Sequence, residues 1–171
     1  MDLNLSPDLT KNEVFKKVES YLEKNGFRIA NSDQTRPWGG FLVIDEQQSQ
    51  KFTNFFFAKV KNTKNETGGK ISPKILIVEK GKRLSWQYHH RRSELWKVIG
   101  GEVGVIQSDT DLQTNIQTKK LNEIIALKQG ERHRLIGLET WGIVAEIWQH
   151  TDKENPSNED DIVRVQDDFG R

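Results

Sequence analysis

The chain has 171 residues, with 26 basic and 25 acidic side chains and a formal net charge of +1. That length suits one domain with a self-sufficient core, and the charge balance excludes a general attraction to nucleic acid or to an anionic membrane surface. Cysteine is absent, so disulfides and thiolate metal sites are excluded, and with neither a leader nor an apolar run of about 18 residues the chain reads as soluble and cytoplasmic.

In chain order, Leu9 to Phe27 carries a helical pattern, with apolar Val14, Phe15, Val18, Tyr21 and Leu22 at three-and-four spacing. Thr10 and Glu13 form a capping box at its start, and Asn25-Gly26 supplies the stop. Residues 1–35 are read as a helical extension, and 36–171 as the main domain. From about residue 37 the texture changes to short β-rich runs: Phe41–Ile44, Phe52–Val60, Ser72–Val78, Leu84–His89, Leu95–Ile99, Val103–Gln107, Leu121–Ala126, Arg132–Ile136 and Ile143–Gln149. Polar turns rich in Gly, Asn, Asp and Lys separate them, which predicts a sandwich or barrel and not a parallel sheet. The run Phe52–Phe57 is read either as core or as an edge strand that pairs with a second copy in a homodimer. The acidic stretch after Thr151 has the composition of a solvated tail.

One constellation carries chemistry. Gln87 and His89 alternate within a predicted strand and so share a face. Glu94 follows across an expected turn at Arg91-Arg92-Ser93, and His133 opens a later strand. Two imidazoles, a carboxylate and an amide oxygen suit a divalent ion such as Zn²⁺, provided that they converge from several strands.

The spacing Gly81, Gln87, His89, Glu94, Gly101 resembles the first motif of the cupin superfamily, and Gly130-Glu131-Arg132-His133 resembles the second, with Lys128 and Gly137 departing from it. The resemblance narrows to the cupin module of type II phosphomannose isomerases. It rests on Arg36-Pro37-Trp38-Gly39, on Leu84-Ser85-Trp86-Gln87-Tyr88-His89-His90-Arg91-Arg92-Ser93-Glu94-Leu95-Trp96, on Gly130 through Leu135, and on Glu159-Asp160-Asp161-Ile162-Val163-Arg164 with the closing Phe169-Gly170-Arg171. It implies an all-β double-stranded β-helix, or jelly-roll barrel, to which the N-terminal helix read from periodicity is added without a counterpart in the family. It also implies a metal held by Gln87, His89, Glu94 and His133, and a tail that returns to the barrel so that Arg171 becomes a site residue. Some members are fused to a guanylyltransferase domain, for which 171 residues leave no room.

The implied reaction is aldose–ketose isomerisation of mannose 6-phosphate to fructose 6-phosphate. It needs a polarised carbonyl, a proton carrier and a hold on the phosphate. Glu146, flanked by Ala145, Ile147 and Trp148, is the preferred proton carrier, with a structural salt bridge as its alternative role. His90 and Lys97 are the other candidates near substrate, although a regular strand turns both away from the metal. Arg36 and Arg171 are expected at the phosphate, because a guanidinium fork matches phosphate oxygens. The alternatives are a non-catalytic sugar-phosphate-binding module, or other cupin chemistry such as an epimerase or an oxygenase.

Overall fold

The computed structural model describes residues 3, 5–60 and 70–170. The polar stretch 61–69 and Arg171, the expected phosphate and catalytic arginine, lie outside them. In chain order the elements are α1 (Lys11–Lys24), β1 (Ile29–Asp33), β2 (Gly39–Ile44), α2 (Ser49–Phe57), β3 (Lys74–Val78), β4 (Trp86–Tyr88), β5 (Arg92–Gly100), β6 (Val103–Ser108), β7 (Gln117–Lys119), β8 (Ile124–Leu127), β9 (Arg132–Gly137), β10 (Gly142–His150) and β11 (Val163–Gln166). They build two antiparallel sheets, ordered β1-β2-β3-β10-β5-β8 and β11-β4-β9-β6-β7. Among the described residues no helix is long and apolar enough to cross a membrane.

The larger sheet is covered on both faces, which explains why β3 reads Lys-Ile-Leu-Ile-Val with every residue buried. Its alternate residues serve two cores. Leu76, Val78, Trp96, Val98 and Val144 meet Val103, Val105 and Leu135 of the smaller sheet and fill the barrel. Ile75, Ile77, Leu95, Ile143, Ala145 and Ile147 face outward, against Val14, Phe15, Val18 and Leu22 of α1 and the phenylalanines of α2. The capping box forms as expected: Thr10 Oγ1 accepts from the Glu13 N–H, while the Glu13 carboxylate accepts from the Thr10 N–H at 2.8 Å.

Three expectations differ from the structure. Phe52–Val60 is not a strand: α2 winds through Ser49–Phe57, because Phe52, Thr53, Phe56 and Phe57 all reach the core from one helical face while Phe55 is left outside. The run therefore offers no strand edge for a partner. Residues 1–35 are not purely a helical extension, since β1 pairs with β2 as an edge of the larger sheet. Its sequence, Ile-Ala-Asn-Ser-Asp, has no apolar alternation because it is mostly exposed. The polar, exposed β7 escaped notice for the same reason. Finally, β4 does not turn back to pair with β5: the two strands belong to different sheets, and the chain crosses between them at residues 89–91.

The tail runs back along the smaller sheet. Its β11 adds to the edge of the smaller sheet, with Val163 opposite Tyr88 and Arg164 opposite Gln87.

The helical assignment of α2 has a direct test. Phe55 and Phe57 would share a face in a strand, yet here Phe57 is 1% and Phe55 43% exposed. Urea unfolding should show Phe57→Ala losing about 3–5 kcal/mol and Phe55→Ala under about 1.5 kcal/mol. Equal losses would contradict the helix.

Candidate metal centre

The crossing from β4 to β5 aims His89 and Glu94 at each other. Asp161, on the returning tail, holds that crossing: its carboxylate accepts from the N–H groups of His90 at 2.9 Å and Arg91 at 3.0 Å, and from Ser157 Oγ at 2.6 Å. Its backbone carbonyl lies 2.5 Å from His89 Nδ1. His133 comes from β9, opposite Gln87 in register, and its Nδ1 faces the Glu131 carbonyl at 2.9 Å. A carbonyl only accepts, so both imidazoles carry their proton on Nδ1 and turn the Nε2 lone pair inward.

Those lone pairs meet Glu94. His89 Nε2 is 3.2 Å from one Glu94 oxygen and His133 Nε2 3.7 Å from the other. One ligand atom from each of the three lies within 4.8 Å of the others, and all three residues are buried. His133 Nε2 is a buried nitrogen without a hydrogen-bond partner, which is what a waiting metal ligand looks like and what a structural histidine avoids. The set fits a divalent cation. Gln87, the fourth expected ligand, lines the adjoining cavity, where its Oε1 accepts from Ser85 Oγ at 2.5 Å.

Burial pushes the Glu94 carboxyl upward, but the charge and hydrogen bond that His89 supplies when it takes a second proton, followed by the Arg92 charge, outweigh it and hold Glu94 well below the ordinary carboxylate range. Burial drives the His133 imidazole down to about 4, against the pull of Glu94, so it is neutral at pH 7 and its lone pair stays available. Arg92 is tightly committed. Its Nε donates to Glu94 at 2.7 Å, its guanidinium reaches His89 Nε2 at 3.1 Å and Ser157 Oγ at 2.9 Å, and it stacks 3.8 Å over the Trp148 ring. Neither Arg92 nor Asp161 was among the expected site residues, although both sit inside the family-like stretches.

The cavity beside this group holds about 140 Å³, well above the roughly 10–15 Å³ that one water needs. Glu146 lines it from β10 and accepts from Trp96 Nε1 at 3.0 Å; the same N–H lies 3.2 Å from Glu94. Burial, reinforced by the Glu94 charge, pushes Glu146 up to about 8, against Lys74 and Arg92. A carboxyl in that range exchanges a proton near neutrality. Arg36 also lines the cavity, paired with Asp33 at 2.7 Å.

Two expected substrate residues do not reach this cavity. His90 is exposed and packs edge-on against Tyr88, because the turn after His89 carries its side chain outward. Lys97 alternates away from Glu94 and lines a separate depression with Phe55, Phe56 and Ile124. Lys74 and Glu159, which sequence reasoning did not select, do line the cavity. The available signal was a single charge opening an otherwise apolar strand.

The model of the family described as "Mannose-6-phosphate isomerase C-terminal" matches residues 61–167. The chain is 29% identical over 136 residues to the alginate biosynthesis protein AlgA of Pseudomonas aeruginosa and to mannose-1-phosphate guanylyltransferase 2 of Escherichia coli O157:H7, covering 80% of this chain and 22% of each relative. The xanthan biosynthesis protein XanB of Xanthomonas campestris pv. campestris is also 29% identical, over 80% of this chain and 23% of its own length. The chain thus spans under a quarter of the curated relatives it matches. Among solved structures, the capsular polysaccharide assembling protein CapF of Staphylococcus aureus superposes with a TM-score of 0.53 at 14% identity, over 93% of this chain and 38% of CapF. KdgF from a Halomonas species superposes with a TM-score of 0.52 at 10% identity, over 76% and 91% of the two chains. These likenesses concern the fold, a cupin β-barrel. With that barrel and a family match across most of its length, the chain belongs to the mannose-6-phosphate isomerase C-terminal family.

Proposed function

We propose that this chain is a metal-dependent isomerase that interconverts mannose 6-phosphate and fructose 6-phosphate. The observation that carries the reading is a second buried carboxyl, Glu146, in the cavity that Glu94 of the His–Glu–His group also lines. Isomerisation moves a proton between neighbouring carbons, so it needs a group that exchanges protons near neutrality beside a polarised carbonyl. Family membership and the name of the Escherichia coli relative support a mannose phosphate as substrate.

His89, Glu94 and His133, with Gln87 beside them, would hold the ion, and two imidazoles with oxygen donors suit Zn²⁺. A bound cation of this kind supplies Lewis acidity toward the substrate carbonyl. Arg92 keeps Glu94 ionised and fixes its orientation. The ionised fraction of Glu146, held by the Trp96 N–H, takes the proton from C2 of the aldose and returns it to C1, while the O2 hydroxyl proton passes to O1. With a pKa raised to about 8 by burial that fraction is a minority at neutral pH, and the acid it becomes is able to give the proton back. Arg36 on the cavity wall and Arg171 are assigned to the phosphate end.

Elemental analysis of the purified protein should find one divalent ion per chain, and His133→Ala should lose it. Ion at a hundredfold excess over Kd should stabilise the wild type by about 2.7 kcal/mol, read as a melting shift of about 5–10 °C that chelator reverses. A wild type that binds no divalent ion would remove the metal centre.

Metal-loaded protein should convert mannose 6-phosphate to fructose 6-phosphate in a coupled assay. Glu146→Gln should lower kcat by about 10²–10⁴ with bound metal retained. Absence of turnover by the loaded wild type sinks the isomerase reading, and an unaltered kcat in Glu146→Gln removes Glu146 from proton transfer.

A further inference from the structure

Lys74 is the single charged residue of β3. Its side chain points into the cavity and is only 7% exposed. Its Nζ lies 4.3 Å from the Trp148 ring centroid and 5.8 Å from that of Phe41, so two aromatic faces hold the ammonium in place. The Arg36 guanidinium lies 5.6 Å over the same Phe41 ring, which brings a second cation to this end of the cavity. A buried ammonium needs an anion. Here the anion is Glu159 Oε1 at 2.7 Å, on the returning tail, and that glutamate is itself 71% exposed.

The pairing is lopsided. Lys74 is fixed by β3, by its cross-strand neighbour Glu146 and by aromatic contact. Glu159 reaches in from an exposed loop and keeps most of its surface in water. Such a carboxylate forms a weak, exchangeable ion pair on its own side while satisfying a cation that is costly to leave alone. The other cation deep in this cavity, Arg92, is already engaged with Glu94, Ser157 and backbone carbonyls. Of these two buried cations, Lys74 is therefore the one whose counter-anion an incoming anion can displace. A phosphate monoester brings up to two negative charges and three acceptor oxygens, against one charge on Glu159, and a compact ammonium suits it as a point charge.

We infer that Lys74 anchors a phosphate monoester in this cavity, and that Glu159 is a built-in stand-in anion which the phosphate displaces. The sugar-phosphate identity of the ligand rests on the isomerase reading above; the anion site itself does not. Phosphate entry releases Glu159 and with it one tie between the tail and the barrel, so occupancy of the site loosens the segment that carries Asn158 and Glu159, while Asp161 keeps its own bonds to the β4–β5 crossing.

The test is calorimetric titration of metal-loaded wild type, Lys74→Met and Glu159→Gln with inorganic phosphate, fructose 6-phosphate and fructose. Lys74→Met keeps the apolar stem on Trp148 and should weaken both phosphate ligands by roughly tenfold or more. Glu159→Gln removes the competing charge and should tighten both by about three- to tenfold, with fructose unchanged in every variant. Wild-type affinity in Lys74→Met overturns the proposal. So does Glu159→Gln without a gain, and this variant decides the matter if Lys74→Met does not fold. Protein that follows this pattern yet shows no turnover would refute the isomerase and leave the anion site standing. Turnover with an unaltered KM for the sugar phosphate in Lys74→Met would refute the anion site alone.

Discussion

Burying the Glu94 carboxylate is the constraint around which the rest of the barrel is arranged. A carboxylate that is 2% exposed survives as an anion only where donors and cations surround it. Arg92 Nε, His89 and the Trp96 N–H do this, and each is held by something else in turn. Arg92 is locked by Ser157, by backbone carbonyls of the tail and by the Trp148 face. His89 is locked by the Asp161 carbonyl. The tail is thus part of the site's foundation, although its composition is that of a solvated end.

The double face of the larger sheet follows from the same economy of side chains. Along β10, Ile143, Ala145 and Ile147 pack outward under the helices while Val144, Glu146 and Trp148 turn toward the barrel interior. One strand therefore supplies structural mass on one face and ionisable groups on the other, from alternate residues. The phenylalanines of α2 matter here as ballast: they seal the outer face, so the inner face can carry ionisable groups against a rigid, close-packed backing.

Inside the cavity the charges are graded. Glu94 is held ionised beside the histidines, and Glu146, sharing the same Trp96 N–H, is left with its proton by burial and by the nearby Glu94 charge. Lys74 then faces Glu146 across the strand pair and meets the tail through Glu159. Two carboxyls within one cavity are thus given opposite protonation by their surroundings.

The element texture and the candidate metal ligands are written in the local pattern of residues. The alternation of short apolar runs and polar turns was enough for an antiparallel barrel, and His89, Glu94 and His133 were legible from spacing and family likeness. Periodicity was weakest where a strand is an exposed edge, as in β1 and β7, and where phenylalanines are so dense that strand and helix both fit, as in α2. The packing of the sheets and tail puts β4 and β5 in different sheets, brings Arg92, Asp161 and Lys74 to the candidate site and leaves His90 and Lys97 outside its cavity. The reason is physical: a local pattern records which face of its own strand a side chain occupies, while burial, charge compensation and pKa depend on what the opposite sheet and the returning tail bring to that face.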